Sequence, residues 1–232
     1  PAMIEMFNAM VDEMFDYGRS ILKSKRENPS DDLLSAIANA KIDDKKLTDE
    51  FLDGSWLLII FAGNDTTRNT MSGGIKLLHE NQSQKELLMQ NLDLLPNFIN
   101  ETVRCVSPVI HMRRTSLEET EINGQRIGPY EKISLWYGAA NRDPDIFENP
   151  DQFNILRENA DKHLAFGIGR HTCLGKPVAL MQLKEFYSQF LTRFKDFEMN
   201  GDWKVAPNNF VHAIQEMPIK FTPVKYVNEI PI

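Results

Sequence analysis

Apolar residues recur every three or four positions along most of the chain, which is the spacing that places them on one face of an α-helix. The pattern predicts helices over residues 1–26, 32–40, 48–80, 83–92 and 95–106. Ser30 and Thr48 are the expected N-caps of the second and third helices, because a hydroxyl can accept a hydrogen bond from a first-turn amide. A further amphipathic helix is predicted after residue 175, with an apolar face of Leu180, Leu183, Tyr187, Phe190 and Phe194.

Between residues 109 and 137 the pattern changes to short strands. Asn123 and Gly124 tolerate positive φ angles, so this pair predicts a tight hairpin turn. A loop rich in Asn, Asp and Pro is expected over residues 140–163, and a β-hairpin over residues 209–224. The predicted fold class is mainly α with small β-sheets (α+β), in a single domain over residues 1–232.

The third predicted helix contains an uninterrupted apolar run from Trp56 to Ala62, so this part is expected to be buried on every side. The run is far too short to cross a bilayer. Gly63, Asp65 and Thr66 follow at once, and such residues inside an apolar helix cost stability unless something uses them. The alternative is a helix kink in which threonine hydroxyls bond to the backbone.

Composition and charge limit the classes of function. The 232 residues carry a net charge of −7, which argues against nucleic acid as a partner. The chain has two cysteines, Cys105 and Cys173, which exclude a disulfide scaffold and a Cys-x-x-Cys zinc site. Cys105 lies on a predicted helix and is interpreted as a core residue.

Cys173 has a different setting. It stands in the run Phe166-Gly-Ile-Gly-Arg-His-Thr-Cys173-Leu-Gly175, directly before a helix whose first turn carries Pro177. The glycines allow a tight turn and a close approach to a flat partner, and the amides of a helix N-terminus favour a thiolate. A lone cysteine in such a place is most often a structural thiol. A cysteine hydrolase that uses Cys173 and His171 is a weaker alternative, because no oxyanion site accompanies the pair.

This run has the form Phe-x-x-Gly-x-x-x-Cys-x-Gly and resembles the haem-binding loop of the cytochrome P450 family. The resemblance implies haem b with the Cys173 thiolate as the axial ligand of its iron. It covers essentially the whole chain but only the C-terminal part of the cytochrome P450 fold, so the chain is interpreted as a piece of a longer gene product. Arg113 and His171 are the expected partners of the haem propionates. The cofactor-binding positions implied besides Cys173 are Ala62, Gly63, Arg113, Phe166, Gly167, His171 and Gly175.

The same resemblance assigns roles to the polar residues of the central helix. Ala62 and Gly63 make room for dioxygen on the distal side of the haem, and Asp65 and Thr66 pass protons to it. Cleavage of the O–O bond requires protons, which a hydroxyl supplied by a carboxylate and water can deliver. This acid–alcohol pair favours an oxygen-activating enzyme over a haem-thiolate sensor or carrier, and over a variant that uses peroxide.

A structural ion pair is implied on the helix over residues 95–106. Glu101 and Arg104 have the spacing of an ordinary surface pair, but in this context they resemble the family's Glu-x-x-Arg motif, which locks the region of the cysteine loop. Gln152 stands where many members carry an arginine that completes this cluster. Arg142 is the expected substitute for that arginine.

Within the family, residues 63–74, 111–115 and 135–143 resemble the bacterial branch that hydroxylates alkanes and fatty acids at the terminal carbon. Related branches act on sterol side chains or terpenoids. The positions that match the family's substrate contacts are all apolar, which suits a hydrocarbon oriented by shape. They are Val109, Ile110, Phe210 and Val211.

The expected partners are O2, a small hydrophobic substrate, and a ferredoxin- or flavodoxin-type donor that passes on electrons from NAD(P)H through its reductase. Arg170, Lys176 and Lys184 are the cations expected to steer this donor, and a solvated surface is the alternative interpretation. A cytoplasmic location is expected, with no membrane segment in this chain. The alternative of another class is a non-catalytic haem-binding or remnant interaction fragment.

Overall fold

The computed structural model describes residues 2–194 and 196–224. The helices are α1 (Ala2–Glu27), α2 (Leu33–Asn39), α3 (Asp49–Glu80), α4 (Gln82–Gln90), α5 (Leu95–Val106), α6 (Tyr137–Ala140) and α7 (Lys176–Arg193). The strands are β1 (Lys41–Ile42), β2 (Lys45–Lys46), β3 (His111–Thr115), β4 (Thr120–Ile122), β5 (Gln125–Ile127), β6 (Lys132–Trp136), β7 (Asp196–Met199), β8 (Lys204–Val205), β9 (Ile214–Glu216) and β10 (Ile219–Thr222). The predicted fold class is confirmed.

The chain divides into two compact units, one ending at Asn64 and the other beginning at Asp65. The boundary falls inside α3, which runs without interruption from Asp49 to Glu80. Because this helix contributes to both units, the expectation of one domain over residues 1–232 stays a prediction.

The helix caps follow the sequence in one case and not in the other. The Phe51 amide donates to Thr48 Oγ1 at 3.3 Å, so the predicted cap of α3 is confirmed. At α2 the prediction of Ser30 was wrong, because the Ser35 amide donates to Asp32 Oδ1 at 2.7 Å. A carboxylate is the stronger acceptor at the positive end of a helix, and Ser30 instead donates its hydroxyl to Asp32.

The first unit buries only one side of the apolar run in α3. Trp56 packs with Leu22, Ala38 and Leu52, and its indole N–H donates to Met14 O at 3.1 Å. Leu58 is nevertheless 65 % exposed and Phe61 51 % exposed. The prediction that this run is buried on every side was therefore wrong for the described residues, since α1 and α2 cover a single face of a helix that is apolar all round.

The small sheets confirm one predicted hairpin and contradict another. β4 pairs with β5 through a turn in which Asn123 has φ 48° and Gly124 φ 78°, as predicted. In the tail, however, β9 pairs with β8 and β10 pairs with β7. A hairpin between β9 and β10 would need positive φ in a two-residue turn, which Pro218 cannot adopt and Met217 resists.

The core of the second unit lies where α5 and α7 pack against α3. The apolar face predicted for α7 is confirmed, with Leu183, Tyr187 and Phe190 buried. The Tyr187 hydroxyl lies 2.9 Å from Thr70 O and 3.1 Å from Met71 O, so it joins α7 to the backbone of α3. A Cβ on Gly74 would lie 2.1 Å from Tyr187 Oη, which explains why this helix carries a glycine there.

We expect Gly74→Ala to lower the free energy of unfolding by about 1–3 kcal/mol, because the added methyl group overpacks the junction with Tyr187. Gly54 is the matched control on the same helix, since a Cβ there meets no described atom within 4 Å. Gly54→Ala should raise stability by up to about 1 kcal/mol through helix propensity. Chemical denaturation measures both changes, and equal effects would contradict the packing role of Gly74.

Candidate functional site

Residues 166–175 form a closed loop in front of α7. Gly167 has φ 68° and Gly169 φ 71°, the left-handed region that glycine reaches without strain. A short 3₁₀ turn over Gly169–His171 follows, and the Cys173 amide then donates to Phe166 O at 2.8 Å. Gly175 is the N-cap of α7, so the thiol of Cys173 stands next to the N-terminus of this helix.

The two cysteines have opposite environments. Cys173 is exposed, and so are its apolar neighbours Ile168 (76 %) and Leu174 (75 %). Cys105 lies half-buried in α5, where burial raises the pKa of its thiol to about 11 and keeps it neutral. The interpretation of Cys105 as a packing residue fits this geometry, and Cys173 is the thiol available to a metal.

A buried charge cluster stands behind this loop. Glu101 is fully buried, and Arg104 donates to it from Nε and Nη2, each at 2.8 Å. Arg157, 7 % exposed, donates to the same carboxylate from Nε at 3.1 Å. The expectation that Arg142 completes the cluster was wrong: its guanidinium donates to Cys105 O and Gly138 O and lies 3.5 Å from Asp151.

Both arginines also hold the loop that follows α6. Arg104 donates to the main-chain carbonyls of Asn141, Pro150 and Gln152, and Arg157 to those of Glu148, Asn149 and Gln152. Gln152 therefore serves this cluster through its main-chain carbonyl, and Arg157 supplies the second positive charge. Arg157 was missed because it stands five residues after the position at which the motif places the arginine; the signal in the sequence is that it is the first cation after Phe153.

Asn141 connects the charge cluster to the cysteine loop. It is fully buried, its carbonyl accepts from Arg104 Nη1 at 2.7 Å, and its side-chain Oδ1 accepts from the Leu164 amide at 2.6 Å. The Leu164 carbonyl in turn accepts from the Gly167 amide at 2.8 Å. Nothing in the local sequence around Asn141 indicated these contacts. Because Asn141 bonds to both Arg104 and the Leu164 amide, the shape of the cysteine loop depends on the Glu101–Arg104 pair.

His163 packs against the first residue of the cysteine loop, Phe166. Its ring lies 5.6 Å from that of Phe166, and its Nδ1 accepts from the Ala165 amide at 3.3 Å. Burial, with the nearby Lys176 charge, lowers the pKa of His163 to about 4. The Phe166 ring is therefore held by an uncharged imidazole throughout the neutral pH range.

The acid–alcohol pair lies on adjacent positions of α3. The Asp65 carboxylate, part-exposed, accepts from Arg68 Nη2 at 2.6 Å. The Thr70 hydroxyl donates to Thr66 O at 2.8 Å, so the threonine back-bonding given as an alternative does occur in this turn. A Cβ on Gly63 would meet no described atom within 4 Å, which means that the packing of the described residues does not require this glycine.

The residues predicted to contact substrate come together from two segments. Val109 forms a β-bridge with Val211, and the Ile110 amide donates to Phe210 O at 2.8 Å. Their proximity is therefore built by main-chain pairing. Their role toward a substrate stays a prediction.

The edge strand β3 carries the expected propionate ligand Arg113 together with a second donor. Among residues 2–194 and 196–224, the Arg113 guanidinium pairs with no carboxylate, while His111 Nδ1 is buried without a hydrogen-bond partner. Residues two apart on a strand point to the same face, so His111 and Arg113 share one side of β3. The histidine was missed because its unsatisfied nitrogen is visible only in three dimensions. His171, the other expected ligand, is exposed in the 3₁₀ turn of the loop.

The family model for cytochrome P450 matches residues 76–222. The chain belongs to the cytochrome P450 family. It is 36 % identical over 93 % of its length to cytochrome P450-terp of Pseudomonas sp and 37 % identical over 90 % to steroid C26-monooxygenase of Mycobacterium tuberculosis. The chain spans about half the length of these relatives, namely 50 % and 56 %.

Solved cytochrome P450 structures have the same fold over nearly the whole chain. Cytochrome P450-153 from Novosphingobium aromaticivorans superposes with a TM-score of 0.85 at 34 % identity, covering 94 % of this chain and 54 % of that one. P450BioI, in complex with hexadec-9Z-enoic acid ligated acyl carrier protein, gives a TM-score of 0.84 at 32 % identity and covers 93 % and 55 %. The C-terminal part of the cytochrome P450 fold is thereby confirmed.

The residues of this chain fit the haem-thiolate cofactor of the cytochrome P450 family. The exposed thiol of Cys173 offers a soft sulfur ligand, and the exposed Ile168 and Leu174 offer apolar surface for a flat macrocycle. The unpartnered His111 Nδ1 and the Arg113 guanidinium suit its propionates. In the part of the chain that the structure describes, no helix is both long and apolar enough to cross a membrane.

Proposed function

We propose that the complete protein is a haem-thiolate monooxygenase that inserts one oxygen atom of O2 into an unactivated C–H bond of a hydrophobic substrate. The observation that carries the proposal is the exposed thiol of Cys173, presented by a loop that the buried Glu101 cluster holds in place. Bound haem supplies the redox chemistry of O2 activation. The chain supplies the axial thiolate, the donors for the propionates and the groups that move protons.

Proton delivery is assigned to Asp65 and Thr66. A carboxyl group exchanges protons with solvent, and an adjacent hydroxyl can pass them on while its own oxygen accepts a replacement. Asp65 is part-exposed beside Arg68, so it has access to water. Asp65 and Thr66 are both partly buried and adjacent in α3, and the small residues Ala62 and Gly63 precede them on the same helix.

For the substrate we propose an n-alkane or a fatty acid, oxidised at its terminal carbon. The supporting observations are the apolar pairs Val109–Val211 and Ile110–Phe210, and the likeness to P450BioI, whose structure carries a fatty acyl group. A sterol side chain or a terpenoid is the second candidate. It is supported by the names of steroid C26-monooxygenase and of linalool 8-monooxygenase of Pseudomonas putida, the latter 35 % identical to this chain.

Electrons are proposed to reach the site from NAD(P)H through a reductase and a ferredoxin- or flavodoxin-type donor. Arg170 and Lys184 are exposed beside the cysteine loop and on α7, where they can attract an acidic partner. Lys176, which stands between them in the sequence, has its ammonium 5.5 Å from the Phe166 ring centre. The cytoplasmic location stays a prediction.

The test is the carbon monoxide difference spectrum of the reduced, haem-loaded complete protein, followed by product analysis with an n-alkane, a fatty acid, linalool and a sterol. A strongly red-shifted Soret band and a terminal alcohol from the alkane or fatty acid are expected. Oxidation confined to linalool or the sterol would move the substrate to the second candidate. Absence of the red-shifted band would overturn the haem-thiolate assignment.

We expect Thr66→Ala to separate electron consumption from product formation. Without the hydroxyl, protons reach the oxygen less selectively, so product formation should fall by about 10²-fold while NAD(P)H is still consumed and hydrogen peroxide accumulates. Thr67→Ala is the neighbouring control, because Thr67 is buried and lies outside the acid–alcohol pair. The amounts of product formed, NAD(P)H consumed and hydrogen peroxide released are measured together for each variant. An unchanged ratio of product to NAD(P)H in Thr66→Ala would contradict a role of Thr66 in proton delivery.

A further inference from the structure

Asn69 binds two different elements with one side chain. It lies one turn after Asp65 on α3 and is only 1 % exposed. Its Nδ2 donates to Asp65 O at 2.8 Å, and its Oδ1 accepts from the Ile214 amide at 2.7 Å. A primary amide carries separate donor and acceptor atoms, so it can donate to a carbonyl and accept from an N–H at the same time.

On the strand side, Asn69 fixes the end of the segment that carries the proposed substrate contacts. We call residues 208–214 the contact segment. Its first part pairs with the connection between α5 and β3, since Ile110 N donates to Phe210 O and His212 N donates to Pro108 O, both at 2.8 Å. Its last residue, Ile214, is held by Asn69. A displacement of the segment by a bound molecule therefore reaches Asn69 directly.

On the helix side, Asn69 acts on the turn that holds the acid–alcohol pair. Side chains that bond to the carbonyl four residues earlier compete with the helical ladder and bend a helix. Two successive carbonyls of α3 are bonded in this way, Asp65 O by Asn69 and Thr66 O by Thr70. The local geometry at Asp65 and Thr66 thus depends on where these two side chains sit.

We propose that Asn69 is a positioning residue that couples the contact segment to the acid–alcohol turn. A substrate that presses on Phe210 and Val211 shifts the Ile214 amide, and Asn69 transmits this shift to the carbonyl of Asp65. The turn then takes the geometry for proton delivery when substrate is seated. The inference rests on the proposed function, since it assigns this coupling to the same site.

The proposed consequence is that fewer electrons are lost to hydrogen peroxide while no substrate is bound, because the Asn69 amide links proton delivery to the contact segment. If the turn responds to the contact segment, protons are delivered selectively when a C–H bond is in place to be oxidised. The coupling is reciprocal, so a change at Asp65 should also alter the contact segment. Thr70 makes the same kind of bond to the helix, but its hydroxyl bond to Thr66 O stays within α3.

A double-mutant cycle tests this coupling in the haem-loaded complete protein without the need for a known substrate. Phe210→Ala perturbs the contact segment, and Asn69→Thr removes the link to Ile214. Threonine at this position can still bond to Asp65 O, as Thr70 does to Thr66 O. The readout is amide hydrogen exchange of residues 65–70, which reports the turn independently of turnover.

Phe210→Ala should change exchange in residues 65–70 by about fivefold or more, the lower end of typical coupling factors, and should have little effect in the Asn69→Thr background. Asn81→Ala is the matched control, because Asn81 Nδ2 bonds to Leu77 O at 2.9 Å near the other end of α3. Its combination with Phe210→Ala should be additive. Additive exchange rates for Asn69→Thr with Phe210→Ala would overturn the proposal.

A second readout keeps this result separate from the proposed function. With whichever substrate of the panel is oxidised, the fraction of electrons lost to peroxide should rise in Asn69→Thr and no longer respond to Phe210→Ala. A missing thiolate band in the unsubstituted protein would defeat the proposed function. An intact band and product, with peroxide loss unchanged in Asn69→Thr, would defeat the role of Asn69 alone.

Discussion

Replacement of Cys173 by serine in the complete protein is expected to abolish the red-shifted carbon monoxide band of the reduced haem and all monooxygenase activity. A serine hydroxyl is not an anion at neutral pH and supplies no soft ligand to iron. The loop itself should persist, because the backbone N–H of Cys173 donates a hydrogen bond to Phe166 O at 2.8 Å and the thiol is exposed. Replacement of the thiol by a hydroxyl leaves that hydrogen bond in place. The spectrum should therefore be lost with little loss of stability.

The second cysteine provides the control for this experiment. Cys105→Ser should keep the red-shifted band, because the Cys105 thiol is held neutral by burial within α5. Haem content and the carbon monoxide difference spectrum compare the two variants directly. A thiolate-type band that survives in Cys173→Ser would refute the assignment of the axial ligand.

Glu101→Ala is expected to give protein that folds poorly and contains little haem. The substitution leaves Arg104 and Arg157 buried without their carboxylate, and breaking a buried ion pair in this way costs about 3–5 kcal/mol. That loss is a large fraction of the roughly 5–15 kcal/mol that stabilises a typical protein. Denaturation midpoints and haem content after purification measure the effect.

An exposed ion pair shows how much of this effect depends on burial. Glu216 lies 2.7 Å from Lys204, with both side chains more than half exposed. Glu216→Ala should cost no more than about 1 kcal/mol. Glu101→Gln, which keeps an acceptor for the Asn154 amide, should fall between the two. A normally folded Glu101→Ala protein with intact haem would show that the cluster does not support the cysteine loop.

The helices could be predicted well from the sequence because their determinants are local. Apolar periodicity placed α5 at residues 95–106, and the tight turn at Asn123-Gly124 was also correct. The pairing of the tail strands could not be predicted in the same way. β10 pairs with β7, although β8 and β9 lie between them in the sequence. β9 pairs with β8 across the eight-residue connection 206–213, so neither partner is the next strand after a short turn.

The residues of the candidate site likewise fall into those that local sequence motifs reveal and those that only long-range contacts reveal. Cys173, Glu101 and Arg104 stand in short motifs whose spacing is visible in the sequence. Asn141 and Asn69 act through bonds to the backbone of residues 23 and 145 positions further along the chain. Such bonds use main-chain atoms that every residue shares, so they leave no pattern in the partner's sequence and become visible only in the folded structure.

The contacts of Arg104 and Arg157 have a consequence for which substitutions the loop around residues 148–152 can tolerate. The two guanidinium groups hold the loop around residues 148–152 by its carbonyl oxygens, and these are the same whatever side chains the loop carries. Substitutions in this loop can therefore accumulate while its course is preserved. The course of this loop is therefore fixed by two buried guanidinium groups outside it, and its own side chains are not needed for that purpose.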